Sequence, residues 1–410
     1  MRRFLLTISV VGLLTGCGDH AADARKDNDH TNKLVEINPK LADATNRVGF
    51  ALLHQLSKDG ATVLISPASI DIALSMTYNG AAGETQSGMA KALSLDGMSS
   101  DELNSAQKKL REQLLDSASD ITLSIANSLW SKNGYAFDTT FLANARDFYS
   151  ARISELDFAN PDAPLTINGW VKENTRGKIT KMIDEIPDNA ILYLLNAIYF
   201  KGTWTYQFDK AKTSDLVFHH PSGDRPRPLM ALSTDFDYFE DSLVQAVRLP
   251  YGESQQFAMI VLLPRDNTTL AALTDSLSFD RWNTWMSELS TRAGTVRLPR
   301  FTLNYEAGLN EPLTAMGMGK AFDPTGADFS KMISGVAGNV YITAVKHKTF
   351  IEVNEEGTEA AAVTSVEVGI TSFTGPPPPF TMIVDRPFFC AIADRESGLI
   401  LFMGTVSEFE

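Results

Sequence analysis

Residues 353–366 read Val353-Asn354-Glu355-Glu356-Gly357-Thr358-Glu359-Ala360-Ala361-Ala362-Val363-Thr364-Ser365-Val366. Strand-forming residues run from Val340 to Val353 and stop at an acidic pair and Gly357. Small residues follow: Thr358, Ala360, Ala361, Ala362, Thr364 and Ser365. Alternate residues of a strand point to opposite faces. One parity reads Thr358, Ala360, Ala362, Thr364, Val366, Val368 and carries no charge. The other reads Glu359, Ala361, Val363, Ser365, Glu367, Gly369 and holds both glutamates. The segment is patterned as a strand with one burying face. Near Gly357 its residues are small enough to slide between strands already in place. It is predicted to be a loop that can become a strand.

Around this run the chain is ordinary in bulk and acidic in charge. Its hydrophobic fraction of 44% is that of a globular protein. The net charge of −14 argues against a nucleic-acid or polyanion surface. The densest basic cluster, Lys108, Lys109 and Arg111, is flanked by acids and reads as a solvated helix face. Arg2-Arg3 precedes an apolar run from Phe4 to Leu14, the pattern of a signal peptide over residues 1–16. Cys17 after Thr15-Gly16 resembles a bacterial lipoprotein box, in which this cysteine carries the lipid. Residues 17–40 read as a tether, since residues 18–33 hold almost no large apolar side chain. An exported lipoprotein of the outer membrane, cell surface or periplasm is expected, or a secreted protein if Cys17 is not lipidated. Gly18, in place of Asp, disfavours inner-membrane retention. Cys390, inside Phe388-Phe389-Cys390-Ala391-Ile392-Ala393, is expected to be a buried small hydrophobe.

Periodicity predicts helices over Leu41–Leu56, Pro67–Tyr78 capped by Ser66, Asp101–Leu115, Leu165–Thr175 and Leu270–Leu289. It predicts strands over Ile121–Trp130, Ile191–Phe200, Asp215–His219, Val244–Leu249, Phe257–Leu263 and Thr295–Leu303. Early helices followed by late strands argue an α+β fold. The sequence lacks an enzyme's constellations. There is no His-Glu-x-x-His, no paired Cys-x-x-Cys and no Gly-x-Ser-x-Gly. His219-His220 face opposite ways on a strand, and His54 or His347 alone supplies no base to a nucleophile. No cofactor or metal is expected. Pro376–Pro379 is an extended, stiff spacer.

Glu355-Glu356-Gly357-Thr358-Glu359-Ala360-Ala361-Ala362 resembles the hinge of the serpins, specifically of their inhibitory members. Asn196 to Trp204 resembles the central strand of their main sheet. Gly317 to Phe322 with Ala327 to Ser330, Asp385 to Phe389, Gly398 to Gly404, and Ser66-Pro67-Ala68-Ser69 are similar to four further family segments. The resemblance covers residues 41–410. It implies an α+β fold of three β-sheets with eight or nine helices and an exposed reactive-centre loop at about 356–379. It implies a monomeric, irreversible suicide-substrate inhibitor of serine proteases, extending to cysteine proteases, with the protease as covalent partner. It places His347 with Ser66, Ser69 and Asn196 in a buried hydrogen-bond cluster where the main sheet must part, and Trp204 where the hinge enters. Counting from Glu355 as the hinge glutamate puts the attacked bond at Thr371-Ser372, with Ile370 or Phe373 as the alternatives if the register shifts. No Arg or Lys occurs between Glu359 and Thr381, so elastase-like or chymotrypsin-like targets are expected. The alternative is a non-inhibitory member acting as a binding or chaperone-like module. Its inserting face would carry Pro, bulky or charged residues where this chain has Thr358, Ala360, Ala362 and Thr364.

Overall fold

The computed structural model describes residues 37–115, 121–333, 339–358 and 378–409. In chain order these form α1 (Pro39–Leu56), β1 (Val63–Ile65), α2 (Pro67–Tyr78), α3 (Gly83–Ala92), α4 (Ser100–Leu115), β2 (Ile121–Lys132), α5 (Thr139–Tyr149), β3 (Arg152–Leu156), α6 (Ala163–Asn174) and β4 (Leu192–Thr203). Then come β5 (Ser214–His220), β6 (Gly223–Glu240), β7 (Val244–Pro250), β8 (Phe257–Pro264), α7 (Leu270–Ser276), α8 (Phe279–Glu288), β9 (Ser290–Pro299), β10 (Phe301–Gly308) and α9 (Asn310–Leu313). β11 (Ala344–Val353), β12 (Gly357–Thr358), β13 (Phe380–Ile383), β14 (Phe388–Asp394) and β15 (Ile400–Val406) complete the described chain. The α+β expectation holds, with nine α-helices among the described residues.

The smaller sheet runs β10-β11-β4-β2-β3, with β12 added to β4. The larger path runs β1-β15-β14-β8-β7-β6-β9-β13, with β5 on β6. The long strand β6 serves two arms of this path. It pairs with β9 over 229–238 and with β7 over 237–240. By hydrogen bonding the described strands therefore form two sheets, with β6 joining both arms of the larger one.

β4 lies at the centre because its residues are apolar at both parities. Leu192, Leu194, Ile198 and Phe200 join the main core with α1, α2 and the larger sheet. Tyr193, Leu195 and Ala197 pack in a second core with Ile167 and Val171 of α6. A strand buried on both faces reads as a continuous apolar run.

Several boundaries differ from the sequence expectation. The fold begins inside the expected tether of residues 17–40: Ile37 is buried, and Asn38 caps α1 by accepting a hydrogen bond from Lys40 N (3.0 Å). The single helix expected over Leu270–Leu289 is two, because Ser278 caps a new start at Phe279 by accepting from Arg281 N. The strand expected over Thr295–Leu303 divides at Arg300: β9 ends at Pro299 on β6, and β10 starts at Phe301 against β11. Cys390 is buried as expected, and burial pushes its thiol up to about 12.

Candidate functional site

The site is a seam between β4 and β11. The two strands pair in parallel from Ala344–Tyr193 to Phe350–Tyr199, while their other partners β2 and β10 are antiparallel to them. Parallel pairing is somewhat weaker per residue than antiparallel. A strand running antiparallel between β4 and β11 would therefore exchange one parallel ladder for two antiparallel ones.

A buried polar cluster holds the seam closed. His347 and Asn196 are register partners across it, on β11 and β4. Ser66 N donates to His347 Nε2 (3.0 Å), so Nδ1 carries the ring proton and donates to Asn196 Oδ1 (2.5 Å). The Asn196 amide donates to Ser69 O (2.9 Å) and Asn127 Oδ1 (2.6 Å), with Ser69 Oγ also bonded. Ser66 Oγ in turn caps α2 by accepting from Ser69 N (3.2 Å). Burial lowers the His347 pKa to about 3, so the ring is neutral at ordinary pH. The first turn of α2 thus touches both strands. Since buried polar groups need partners, opening the seam requires new partners for His347 and Asn196.

The turn expected to be the hinge follows the point where β11 leaves β4. Asn354 and Gly357 bridge a tight turn, and β12 returns antiparallel along β4, with Gly357 opposite Thr203 and Thr358 opposite Gly202. Gly357 has φ +134°, and a Cβ there would lie 2.2 Å from Gly202 O and 2.7 Å from Trp204 N. Only glycine fits. Trp204 grips the turn: its N–H donates to Glu356 O (3.0 Å) and its indole Nε1 to Asn354 O (2.9 Å). Its ring stacks on Tyr251 at 4.3 Å.

Two ion pairs fix the acidic residues of the turn. Glu355 is buried, and Arg300 donates to both its carboxylate oxygens (2.8 and 2.9 Å through Nε), while Thr213 Oγ1 donates to Oε1 (2.6 Å). Burial alone would raise the Glu355 pKa, but these hydrogen bonds and the Arg300 charge hold it below the usual range. Glu356 pairs with Lys210 (2.5 Å).

Pro378 lies on the other sheet system. Arg292 Nε donates to Pro378 O (2.9 Å) and the same guanidinium pairs with Glu240 (3.0 Å). Phe380 stacks on Tyr238 at 3.7 Å. Thr358 thus lies on β4, and Pro378 to Ile383 lie beside β9.

The structure brings Ser66, Ser69, Asn196 and His347 into one network and sets Glu355, Glu356, Gly357, Thr358 and Trp204 around one turn. Glu359, Ala360, Ala361, Ala362, Ile370, Thr371, Ser372, Phe373 and Cys17 lie outside the described residues. Sequence reasoning missed Asn127, Arg300 and Thr213. Asn127 left a signal, as an amide inside an otherwise apolar strand. Arg300 and Thr213 left none, because their partner is far along the chain.

The profile of the family described as Serpin (serine protease inhibitor) matches residues 43–409. Iripin-8 of Ixodes ricinus is 37% identical over 385 residues, covering 90% of this chain and 93% of its own. The leukocyte elastase inhibitor of Homo sapiens is 34% identical, covering 90% of this chain and 99% of its own. The native crystal structure of the thermophilic serpin tengpin superposes with a TM-score of 0.84 at 33% identity, covering 91% of this chain and 95% of its own.

Proposed function

This chain belongs to the serpin family, and on that premise we propose that it is an irreversible suicide-substrate inhibitor of elastase-like or chymotrypsin-like serine proteases, with cysteine proteases open to the same acyl chemistry. The observation that carries the reading is β12: Thr358, the first residue of the expected inserting strand, already pairs with β4 next to Gly357. A protease nucleophile attacks the Thr371 carbonyl, the Ser372 amine leaves, and an ester or thioester joins Thr371 to the enzyme. The freed strand then continues down the seam and carries the protease with it.

The register set by β12 makes this specific. Gly357 opposite Thr203 and Thr358 opposite Gly202 extend to Val368 opposite Leu192, the first residue of β4. Ala360, Ala362 and Val366 would then face the main core beside Phe200, Ile198 and Leu194. That is the uncharged parity of the sequence. Thr364 would arrive between Asn196 and His347, where a hydroxyl can both donate and accept. It would replace the hydrogen bond those two lose. About a dozen residues gaining ladder bonds at roughly 0.5–1.5 kcal/mol net each give on the order of ten kcal/mol. That is comparable with the ~5–15 kcal/mol that holds a protease folded. The native state therefore persists kinetically.

The test is incubation with elastase-, chymotrypsin-, trypsin- and papain-like proteases, followed by electrophoresis in denaturant. A covalent complex is expected with the first two classes, and its C-terminal fragment should begin at Ser372. A fragment beginning before Val366 or after Gly375 would reject the register. Thr358→Arg, which places a charge at the start of the inserting strand, should turn the inhibitor into a substrate. If the variant still traps protease at full stoichiometry, insertion is not the mechanism. We also propose that Cys17 carries a lipid. Cys17→Ser should then move the protein from the detergent phase to the aqueous phase.

A further inference from the structure

The interior holds a polar strip that the inhibitory reading does not use. Asp71 and Ser75 of α2 and its C-cap Asn79 recur every four residues and share a face. α4 meets this face with Gln107 and Asn104, α5 with Tyr149, and α1 with Thr45. At the outer end Asn79 and Asn104 exchange amide bonds (2.8 and 2.9 Å), and Tyr149 donates to Asn104 Oδ1 (2.6 Å). At the inner end Gln107 Nε2 donates to Ser75 Oγ (3.0 Å) and Asp71 Oδ2 (2.5 Å), and Thr45 Oγ1 donates to the same oxygen (3.1 Å).

Two buried acceptors there have no donor: Asp71 Oδ1 and Gln107 Oε1. Both residues are fully buried. The group coupled to Asp71 by charge is Tyr149, whose own hydroxyl pKa is pushed up first by burial and also by Asp71. Arg111 lies one turn along α4 from Gln107, and neither it nor any other cation contributes at Asp71. The remaining charged residues of α1, α3, α4 and α5 are exposed or half-buried. An ionised Asp71 would be an interior charge with two hydrogen bonds on one oxygen, none on the other and no cation beside it. The same helix, two residues earlier, holds the gate: Ser69 is bonded by Asn196 and Ser66 bonds His347.

We propose that this strip is a proton-operated latch: with a proton on Asp71, α4 stays docked on α2, and loss of that proton loosens α4 together with the first turn of α2, and so the seam between β4 and β11. The seam's part in strand insertion rests on the inhibitory reading; the latch itself does not. Burial lifts the Asp71 pKa to about 6 against the pull of its bonds to Gln107 and Thr45. His347, at about 3, does not titrate in the same window. The sign follows. Below the ordinary carboxylate value both the docked and loosened forms are protonated, and docking is at full strength. As pH rises towards 6 only the loosened form has ionised, so docking weakens, and above 6 it levels off.

Hydrogen–deuterium exchange of the full chain at pH 5.0 and 7.5, corrected for intrinsic rates, tests this without a protease. In the wild type, opening of α4 and of residues 66–69 should increase about tenfold between the two pH values. Asp71→Asn should abolish the increase, and Asp71→Ser is the second variant in case the amide folds poorly. An increase that survives in either folded variant overturns the proposal. So does loosening confined to α4 while residues 66–69 and 344–350 stay protected. A wild type that shows the increase but forms no covalent protease complex overturns the inhibitory reading and leaves the latch standing.

Discussion

Gly357 and Glu355 do different work within one turn. Gly357 permits the approach: with no room for a Cβ against Gly202 O and a positive φ, it alone lets the chain return along β4. Gly357→Ala should expel β12 from the sheet, unstack Trp204 from its bonds to Asn354 and Glu356, and shift the protein's tryptophan emission. Emission and amide exchange at 202–204 identical to wild type would refute the close approach. Glu355 fixes the turn electrostatically. Arg300→Ala leaves its carboxylate buried without a cation, and because Arg300 is 44% exposed the loss is moderate, about 1–3 kcal/mol at pH 7. The Glu355 pKa is depressed from 4.5 in the folded state. Its stabilisation is thus present above 4.5 and is lost as pH falls through the lower folded value. Denaturant unfolding at pH 7 and pH 3 should show a large gap between wild type and variant at the first and a small one at the second.

At the scale of elements, the seam is a parallel pair among antiparallel neighbours, tied by one amide and one imidazole. Asn196→Ala strips partners from His347 Nδ1–H, Asn127 Oδ1 and Ser69 O together. A loss of about 2–4 kcal/mol is expected, with faster amide exchange along β11 than along β10. Equal acceleration of both strands would mean general destabilisation and not a gate. Much of this was legible in the chain. The likeness to serpin segments placed Ser66, Ser69, Asn196 and His347 together, and they do form one hydrogen-bonded network; the strand pattern read after Thr358 falls on residues outside those described. What stayed hidden was set by distance or by local capping. The Arg300–Glu355 pair joins residues 55 apart, and no local pattern marks it. Leu270–Leu289 kept an apolar rhythm across a real break: α7 ends at Ser276 with Leu277 as its cap, and Ser278 caps the start of α8. α3 buries only Thr85, Met89 and Ala92, too sparse a stripe to be read as a helix.

For the whole molecule, the consequence of the proposed mechanism is a native state that is not the most stable arrangement of the chain. A single nick within 366–375 should let the strand enter and raise the melting temperature by about 10–20 °C, the shift expected from some ten kcal/mol in a protein of this size. A nicked form that melts at or below the intact protein would contradict stored metastability. The seated Gly357 bears on this in another way. Strand pairing can slip, and a slip by one residue exchanges the two faces. Here it would turn Glu359 and Glu367 towards the core. Under the proposed mechanism, Gly357 opposite Thr203 would assign each later residue its partner before any bond is cut. Proteolysis would then contribute slack and no information: the addresses would be written in the resting fold, and cutting the chain would only let them be read.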